Sequence, residues 1–132
     1  MNTGTRALLL VAHGSRLSEA NAEVAQLTDR LREASGDRFE IVTHAFLEIA
    51  EPDIPTGIDV CIAQGATQLW VLPHFLAAGR HVRDDVPALL DQARERHPHV
   101  TICLCEHLGA EAGLPELLLR LAKDDHSIPI WK

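Results

Sequence analysis

Short apolar runs alternate with amphipathic segments along the chain. The apolar runs are predicted strands over residues 6–12, 38–47, 68–72 and 100–105. Between them, apolar residues recur at intervals of three and four positions, which is typical of helices with one buried face. Strands that alternate with helices favour a parallel sheet with helices on both of its faces. The pattern therefore predicts an α/β fold, a three-layer αβα arrangement around a four-stranded parallel sheet.

Local signals predict where the helices begin. Ser18 is expected to cap the first helix and Asp53 the second, because each precedes a helical pattern and carries a side-chain oxygen. Asp84 is expected to cap the third helix, which would place Pro87 in the first turn, where a missing N–H costs little. The last helix is expected from about Glu111 to Lys123 by its leucine spacing.

Length and composition narrow the class of protein. We expect residues 1–132 to form one domain, with an apolar tail over residues 124–132 that packs on the domain or on a second subunit. No apolar stretch approaches the roughly 20 residues that cross a bilayer, and the start lacks the pattern of a signal peptide. Three cysteines without a disulfide framework are typical of a reducing compartment. These features predict a cytoplasmic protein without membrane contact, and a net charge of −7 argues against nucleic-acid binding.

Two of the apolar runs end at a histidine that is followed by loop-forming residues. His13 ends the first run and precedes Gly14-Ser15-Arg16, and His74 ends the third run. Ligands of parallel sheets bind beyond the carboxyl ends of the strands, so both histidines are expected at the functional edge, with Glu48 after the second strand beside them. Neutral imidazoles and carboxylates bind first-row divalent cations. The sequence thus favours a metal site with open positions, although a histidine in such a place is equally a hydrogen-bonding group of a loop.

Other side chains leave two interpretations open. The turn Gly14-Ser15-Arg16 suits an anion, with N–H groups at a helix start and a guanidinium beside them, or it simply ends a strand. His81 follows His74 closely enough to reach the same ligand, or it pairs with the acidic residues after it. Cys103 and Cys105 share one face of the fourth strand, where buried thiols are more common than metal ligands.

The ordered set of motifs resembles the sirohydrochlorin chelatases, the class II enzymes that insert cobalt, iron or nickel into tetrapyrroles. The motifs are His13-Gly14-Ser15-Arg16, Ala45-Phe46-Leu47-Glu48, and Pro73-His74-Phe75-Leu76 with Gly79, His81-Val82 and Asp85-Val86-Pro87. They follow the family's order from about residue 6 to residue 90. The resemblance implies a chelatase-like fold and a short, single-domain form that pairs as a homodimer. It also implies metal binding by His13 and His74, with an acidic role for Glu48.

The resemblance further implies that the substrate is sirohydrochlorin, an anionic tetrapyrrole. Its carboxylates need cationic partners, and Arg16, Arg80 and Arg83 are expected in the two loops that flank the histidines. Ser15 and His81 complete the expected substrate-binding set.

The chemistry that follows is metal insertion with loss of the two inner N–H protons of the macrocycle. His13 and His74 are expected to hold the incoming ion, while a neutral imidazole or the Glu48 carboxylate takes a proton. Protonated imidazoles neither bind metal nor accept protons, so insertion is expected to fall steeply below about pH 6. No cofactor beyond the substrate metal is expected, because the chain has no GxxxxGK[ST] nucleotide loop.

Two other classes of function compete with this interpretation. A metal carrier or tetrapyrrole-binding protein of the same fold would keep the histidines and lack turnover. A receiver or flavodoxin-like module is disfavoured, because no acidic pocket follows the first strand and no Ser/Thr-rich phosphate loop precedes the first helix.

Overall fold

The computed structural model describes residues 4–122, except for the side chain of His81. Its strands are β1 (Thr5–Ala12), β2 (Ile41–Phe46), β3 (Ala66–Pro73) and β4 (Thr101–Leu104). Its helices are α1 (Ser18–Ser35), α2 (Ile54–Ala63), α3 (Arg80–Arg96) and α4 (Leu114–Leu121), with a 3₁₀ turn at Leu108–Ala110. Within the described range the strands form one parallel sheet in the order β2-β1-β3-β4. The predicted α/β fold with a four-stranded parallel sheet is confirmed.

The central position of β1 explains its apolar sequence. Residues 7–12 are all buried, because helices lie on both faces and a strand lies on each side. Leu8 faces α1, whereas Leu9 lies against Gly57 of α2, as the alternation of side chains along a strand requires. α3 completes the second face through the buried side chains of Val86 and Leu90. The strand thus forms a rigid base for the loop that follows it.

The start of α2 was predicted correctly, and that of α1 was not. Asp53 occupies the N-cap of α2, and its carboxylate accepts a hydrogen bond of 2.9 Å from the backbone N–H of Thr56. Ser18 is instead the first helical residue of α1, since Leu17 holds the N-cap position and provides no side-chain cap. The Ser15 hydroxyl accepts a hydrogen bond of 3.0 Å from the N–H of Leu17. A side chain from the preceding loop therefore satisfies a donor at this helix end.

The third helix begins earlier than predicted. α3 follows Gly79 and starts at Arg80, so Asp84 does not cap it and Pro87 lies inside the helix. Burial of Val82 and Val86, which share a helical face, extends the helix toward its N-terminus. This burial outweighs the local preference for a proline in the first turn. Arg80 and Arg83 consequently lie on a helix rather than in a loop.

The final helical segment is also shorter than predicted. A 3₁₀ turn covers Leu108–Ala110, and α4 begins only at Leu114, so the expected start at Glu111 is wrong. Pro115 explains the delay, because a proline is tolerated in the first turn of a helix and not further inside it. Lys123 and the tail over residues 124–132 lie outside the described residues.

The α1 side of the sheet is only partly covered. α1 packs on β2, and a groove of about 280 Å³ remains between α1 and β3. The groove is lined by Leu8, Leu31, Ala34, Ser35, Arg38, Phe39, Trp70, Leu72 and Cys105. Four leucines of α4 are exposed, from 42% at Leu117 to 73% at Leu121. Among the described helices, none has the length and apolarity that crossing a membrane requires.

Candidate functional site

The carboxyl ends of β1, β2 and β3 bring His13, Glu48 and His74 to one edge of the sheet. Each of these residues follows a strand by one or two positions. The backbone N–H of His74 donates a hydrogen bond of 2.7 Å to the carbonyl of Val11, and that of Glu48 donates one of 3.1 Å to the carbonyl of His13. Hydrogen bonds therefore continue across the edge beyond the strands and fix the main chains of the three segments.

The side chains of His13 and Glu48 face each other. The Nδ1 atom of His13 lies 4.0 Å from the Oε2 atom of Glu48, which is longer than a hydrogen bond. Both side chains are about half exposed, at 54% and 50%. The imidazole packs edge-on against the ring of Phe75, with 5.4 Å between the ring centroids. The pair is thus open to solvent on one side and supported by an aromatic ring on another.

The close approach of the two loops depends on Gly14. Its φ of 95° lies in the left-handed region, where side chains are disfavoured. A β-carbon at this position would overlap with the carbonyl oxygen of Glu48. Glycine therefore allows the chain after His13 to pass directly against the chain that carries Glu48.

The turn after His13 is held by a residue that the sequence did not single out. The side chain of Asn21 accepts a hydrogen bond of 2.9 Å from the N–H of Ser15 and donates one of 2.8 Å to its carbonyl. The N–H of Leu17 is also occupied, by the Ser15 hydroxyl. The N–H groups of Ser15 and Leu17 therefore already have partners within the chain, which favours the structural interpretation of this turn over an anion site built from these two groups. Arg16 remains exposed beside them.

His74 shares the edge of the sheet with His13 but lies in a different local environment. It is partly buried and borders a pocket of about 320 Å³ against α1, which is lined by Ala20, Glu23, Val24, Leu27 and Arg30. Glu48 borders a second pocket, of about 310 Å³, together with Asp85 of α3. Among the described residues, no group of three or more His, Cys, Asp or Glu side chains lies close enough to hold a metal ion. The side chains of His13 and Glu48 therefore lie close together. His74 is joined to the same edge of the sheet through the hydrogen bond that its backbone N–H donates to the carbonyl of Val11.

The cationic candidates lie around this edge. Arg80 and Arg83 are exposed in the first turn of α3, and Arg83 borders a pocket of about 300 Å³. The other lining residues are Pro73, Ala78, Val82, Val86, Pro87, Leu104, Cys105, Glu106 and His107. The side chain of His81 is outside the described part of the structure. A largely apolar pocket that is bordered by an arginine suits a ligand that has both hydrocarbon and carboxylate groups.

Two of the three thiols have a raised pKa in this fold. Burial raises the pKa of Cys61 to about 11. Burial, together with the neighbouring thiol of Cys103, also raises the pKa of Cys105. Because a thiolate is the form that binds metal, these shifts argue against metal ligation by Cys105 at neutral pH.

Comparison with known proteins gives this geometry a context. The CbiX family model matches residues 7–125. The chain belongs to the CbiX family. A sirohydrochlorin ferrochelatase from Priestia megaterium is 31% identical over 113 residues, which are 86% of this chain and 42% of that protein. The chain spans about half the length of several curated relatives that it matches.

Solved structures of CbiX relatives share the fold. The CbiX protein from Marinobacter aquaeolei VT8 is 34% identical with a TM-score of 0.70, and the match covers 91% of this chain and 96% of that one. The sirohydrochlorin chelatase SirB from Bacillus subtilis subspecies spizizenii, in complex with cobalt, is 30% identical with a TM-score of 0.78. That match covers 92% of this chain and 51% of SirB. Relatives of this length and of about twice this length therefore share the architecture described above.

Proposed function

We propose that this CbiX protein inserts a divalent metal, Co²⁺, Fe²⁺ or Ni²⁺, into sirohydrochlorin without a nucleotide or a resident cofactor. The observation that carries the proposal is the placement of His13, Glu48 and His74 at one sheet edge, where Glu48 bonds to the carbonyl of His13 and His74 bonds to the carbonyl of Val11 in the same strand. The names of the relatives support the same reaction, since they include sirohydrochlorin ferrochelatases and cobaltochelatases. The cobalt complex of SirB supports a metal ion as substrate.

In the proposed reaction, a metal ion enters the macrocycle and two protons leave it. His13 and His74 hold the ion through imidazole nitrogens, and their low ligand count leaves positions open for pyrrole nitrogens. Glu48 accepts the two pyrrole protons one after the other, and its half-exposed carboxylate passes each of them to water. The 4.0 Å separation of Glu48 from His13 supports this division of roles, because the two groups are close without being bonded to each other.

The carboxylates of sirohydrochlorin are proposed to bind the cationic groups around the site. Arg83 is best supported, since it borders a pocket with apolar walls next to the site. Arg16 and Arg80 are exposed at the same edge and are proposed as further contacts. The Ser15 hydroxyl is proposed to donate a hydrogen bond to a substrate carboxylate. Its oxygen accepts the hydrogen bond from Leu17, and that bond does not use the hydroxyl hydrogen. His81 is also proposed as a substrate contact, and this proposal rests only on its place in the family's motif.

The protein is proposed to act as a homodimer in the cytoplasm, with residues 1–132 as one chelatase domain and no nucleic acid or membrane as a partner. The exposed leucines of α4 and the groove beside α1 support self-association, because a two-fold dimer needs apolar surface that is complementary to itself. Leu118→Glu should convert the dimer to a monomer in sedimentation experiments. A wild-type protein that sediments as a monomer at all concentrations would end this part of the proposal.

The reaction is tested by anaerobic absorbance spectroscopy of sirohydrochlorin with each of the three metals separately. The wild-type protein should accelerate the spectral change of insertion, and His13→Ala and His74→Ala should each remove most of the acceleration. His99→Ala is the matched control, because His99 is exposed beside the opposite end of β4. Binding of Co²⁺ without any acceleration would indicate a carrier instead. Near-normal insertion by both site variants would reject the assignment of the histidines.

A further inference from the structure

Asn21 makes an unusual pair of contacts for a residue inside a helix. It lies one turn into α1, and its carboxamide both accepts from the N–H and donates to the carbonyl of Ser15. The side chain thus forms the same two kinds of hydrogen bond with the backbone of Ser15 that a neighbouring β-strand would form. Asparagine is a weak helix former, so its presence here serves the loop more than the helix.

The loop that Asn21 holds is the one that carries His13. Two further contacts hold this loop in place. The carbonyl of His13 accepts a hydrogen bond from the N–H of Glu48, and Gly14 lies against the carbonyl of Glu48. The imidazole itself has looser restraints, namely the edge contact with Phe75 and the 4.0 Å approach to Glu48. The conformation of the backbone between residues 13 and 17 therefore largely sets where the imidazole points.

We propose that Asn21 is a positioning residue for the His13 loop. By satisfying both polar backbone groups of Ser15, it holds residues 13–17 in one conformation, which orients the imidazole of His13 and the guanidinium of Arg16. The identity of the ligand that His13 binds rests on the proposed function. The positioning role of Asn21 rests only on its hydrogen bonds to Ser15. Asn21 acts through the loop and needs no contact with metal or tetrapyrrole.

Variants of Asn21 separate its two hydrogen bonds. Asn21→Ala removes both bonds and inserts the best helix former, so α1 should persist. Asn21→Asp keeps the acceptor for the Ser15 N–H and replaces the donor by a carboxylate oxygen, which repels the Ser15 carbonyl oxygen. Gln26→Ala is the matched control, because it removes an exposed carboxamide from the same helix.

The experiment measures Co²⁺ binding in the absence of tetrapyrrole, from the visible absorption of bound cobalt. We expect about tenfold weaker binding for Asn21→Ala, a loss at least as large for Asn21→Asp and wild-type binding for Gln26→Ala. Circular dichroism should show equal helix content in all four proteins. Equal Co²⁺ affinity of Asn21→Ala and wild type would overturn the inference.

A second measurement keeps this test independent of the proposed function. The NMR signal of the His13 Cε1–H group in the metal-free protein should shift in Asn21→Ala and stay in place in Gln26→Ala. If the wild-type protein binds no Co²⁺, the proposed function fails and the NMR signal alone decides the role of Asn21. An unchanged His13 signal would then overturn it.

Discussion

The carbonyl oxygen of Glu48 lies against Gly14, in the space where any other residue would carry its β-carbon. This contact joins the loop after β1 to the loop after β2 directly beside the candidate site. It also explains why the residue that follows His13 is a glycine. A substitution of Gly14 is therefore expected to lower stability more than a substitution of a glycine in a turn with open space around it.

Gly14→Ala should therefore destabilise the protein and disrupt the site. The positive φ alone costs about 1–2 kcal/mol for a side chain, and the overlap with Glu48 adds to that cost. Gly65→Ala is the matched control, since Gly65 has a φ of 107° but, apart from its chain neighbours, no described residue lies within 4 Å of the point where a β-carbon would stand. Urea unfolding should show a larger loss of stability for Gly14→Ala than for Gly65→Ala. Equal losses would mean that the Glu48 loop moves away at no cost.

Ile49, next to Glu48, is held in a strained conformation. Its φ is 73°, a region that a β-branched residue rarely adopts, and its side chain is 61% exposed. Ile49→Gly should relieve this strain and raise the free energy of unfolding by up to about 1 kcal/mol, after the entropy cost of glycine is subtracted. Thermal unfolding measures the effect, with Leu76→Gly as the control. Leu76 is similarly exposed and lacks the positive φ, so its replacement should lower the melting temperature.

The fold could be predicted because its signals are local and repeated. The apolar run of β1 and the cap at Asp53 act over a few residues, and the structure retains both. The start of α3 could not be predicted from local signals, since it depends on the burial of Val82 against the core. A proline that usually marks a first turn, Pro87, was placed inside the helix by tertiary packing.

The candidate site was predictable by position and not by detailed contacts. Strand ends placed His13, Glu48 and His74 at one edge, because parallel strands share the direction of their carboxyl ends. Side-chain orientation at the site depends on loop geometry, which the hydrophobic periodicity of the sequence does not predict. Asn21 was missed for that reason, although a weak helix former inside the pattern of α1 is a signal that can be searched for.

Stability should depend on pH through His44. Burial lowers the pKa of its imidazole below the ordinary value of 6.5, and among the described residues its buried Nδ1 atom has no hydrogen-bond partner. The unfolded chain therefore takes up a proton near pH 6.5 that the folded protein resists. This contribution to stability is complete above pH 6.5 and declines as the pH falls toward the lowered value.

Replacing His44 tests this dependence. His44→Leu should reduce the loss of unfolding free energy between pH 7.5 and pH 5.5, as measured by urea titration at each pH. His99→Leu removes an exposed histidine and should leave the pH dependence as it is in the wild type. If both variants lose stability with pH as steeply as the wild type, then other groups control the acid response.

Arg83 provides the most direct test of how the substrate is bound. Arg83 borders a largely apolar pocket beside the site, and a guanidinium is suited to a carboxylate arm and not to the metal. Arg83→Ala should raise the KM for sirohydrochlorin about tenfold, as expected for one hydrogen bond to a charged group, and leave Co²⁺ binding unchanged. Arg83→Lys should lose less, because it keeps the charge without the planar donor pair. Arg96→Ala at the far end of α3, where Arg96 bonds to Asp59, should keep the wild-type KM. A KM that stays constant in Arg83→Ala would place the carboxylates elsewhere, whereas weaker Co²⁺ binding in this variant would show that α3 also positions the metal site.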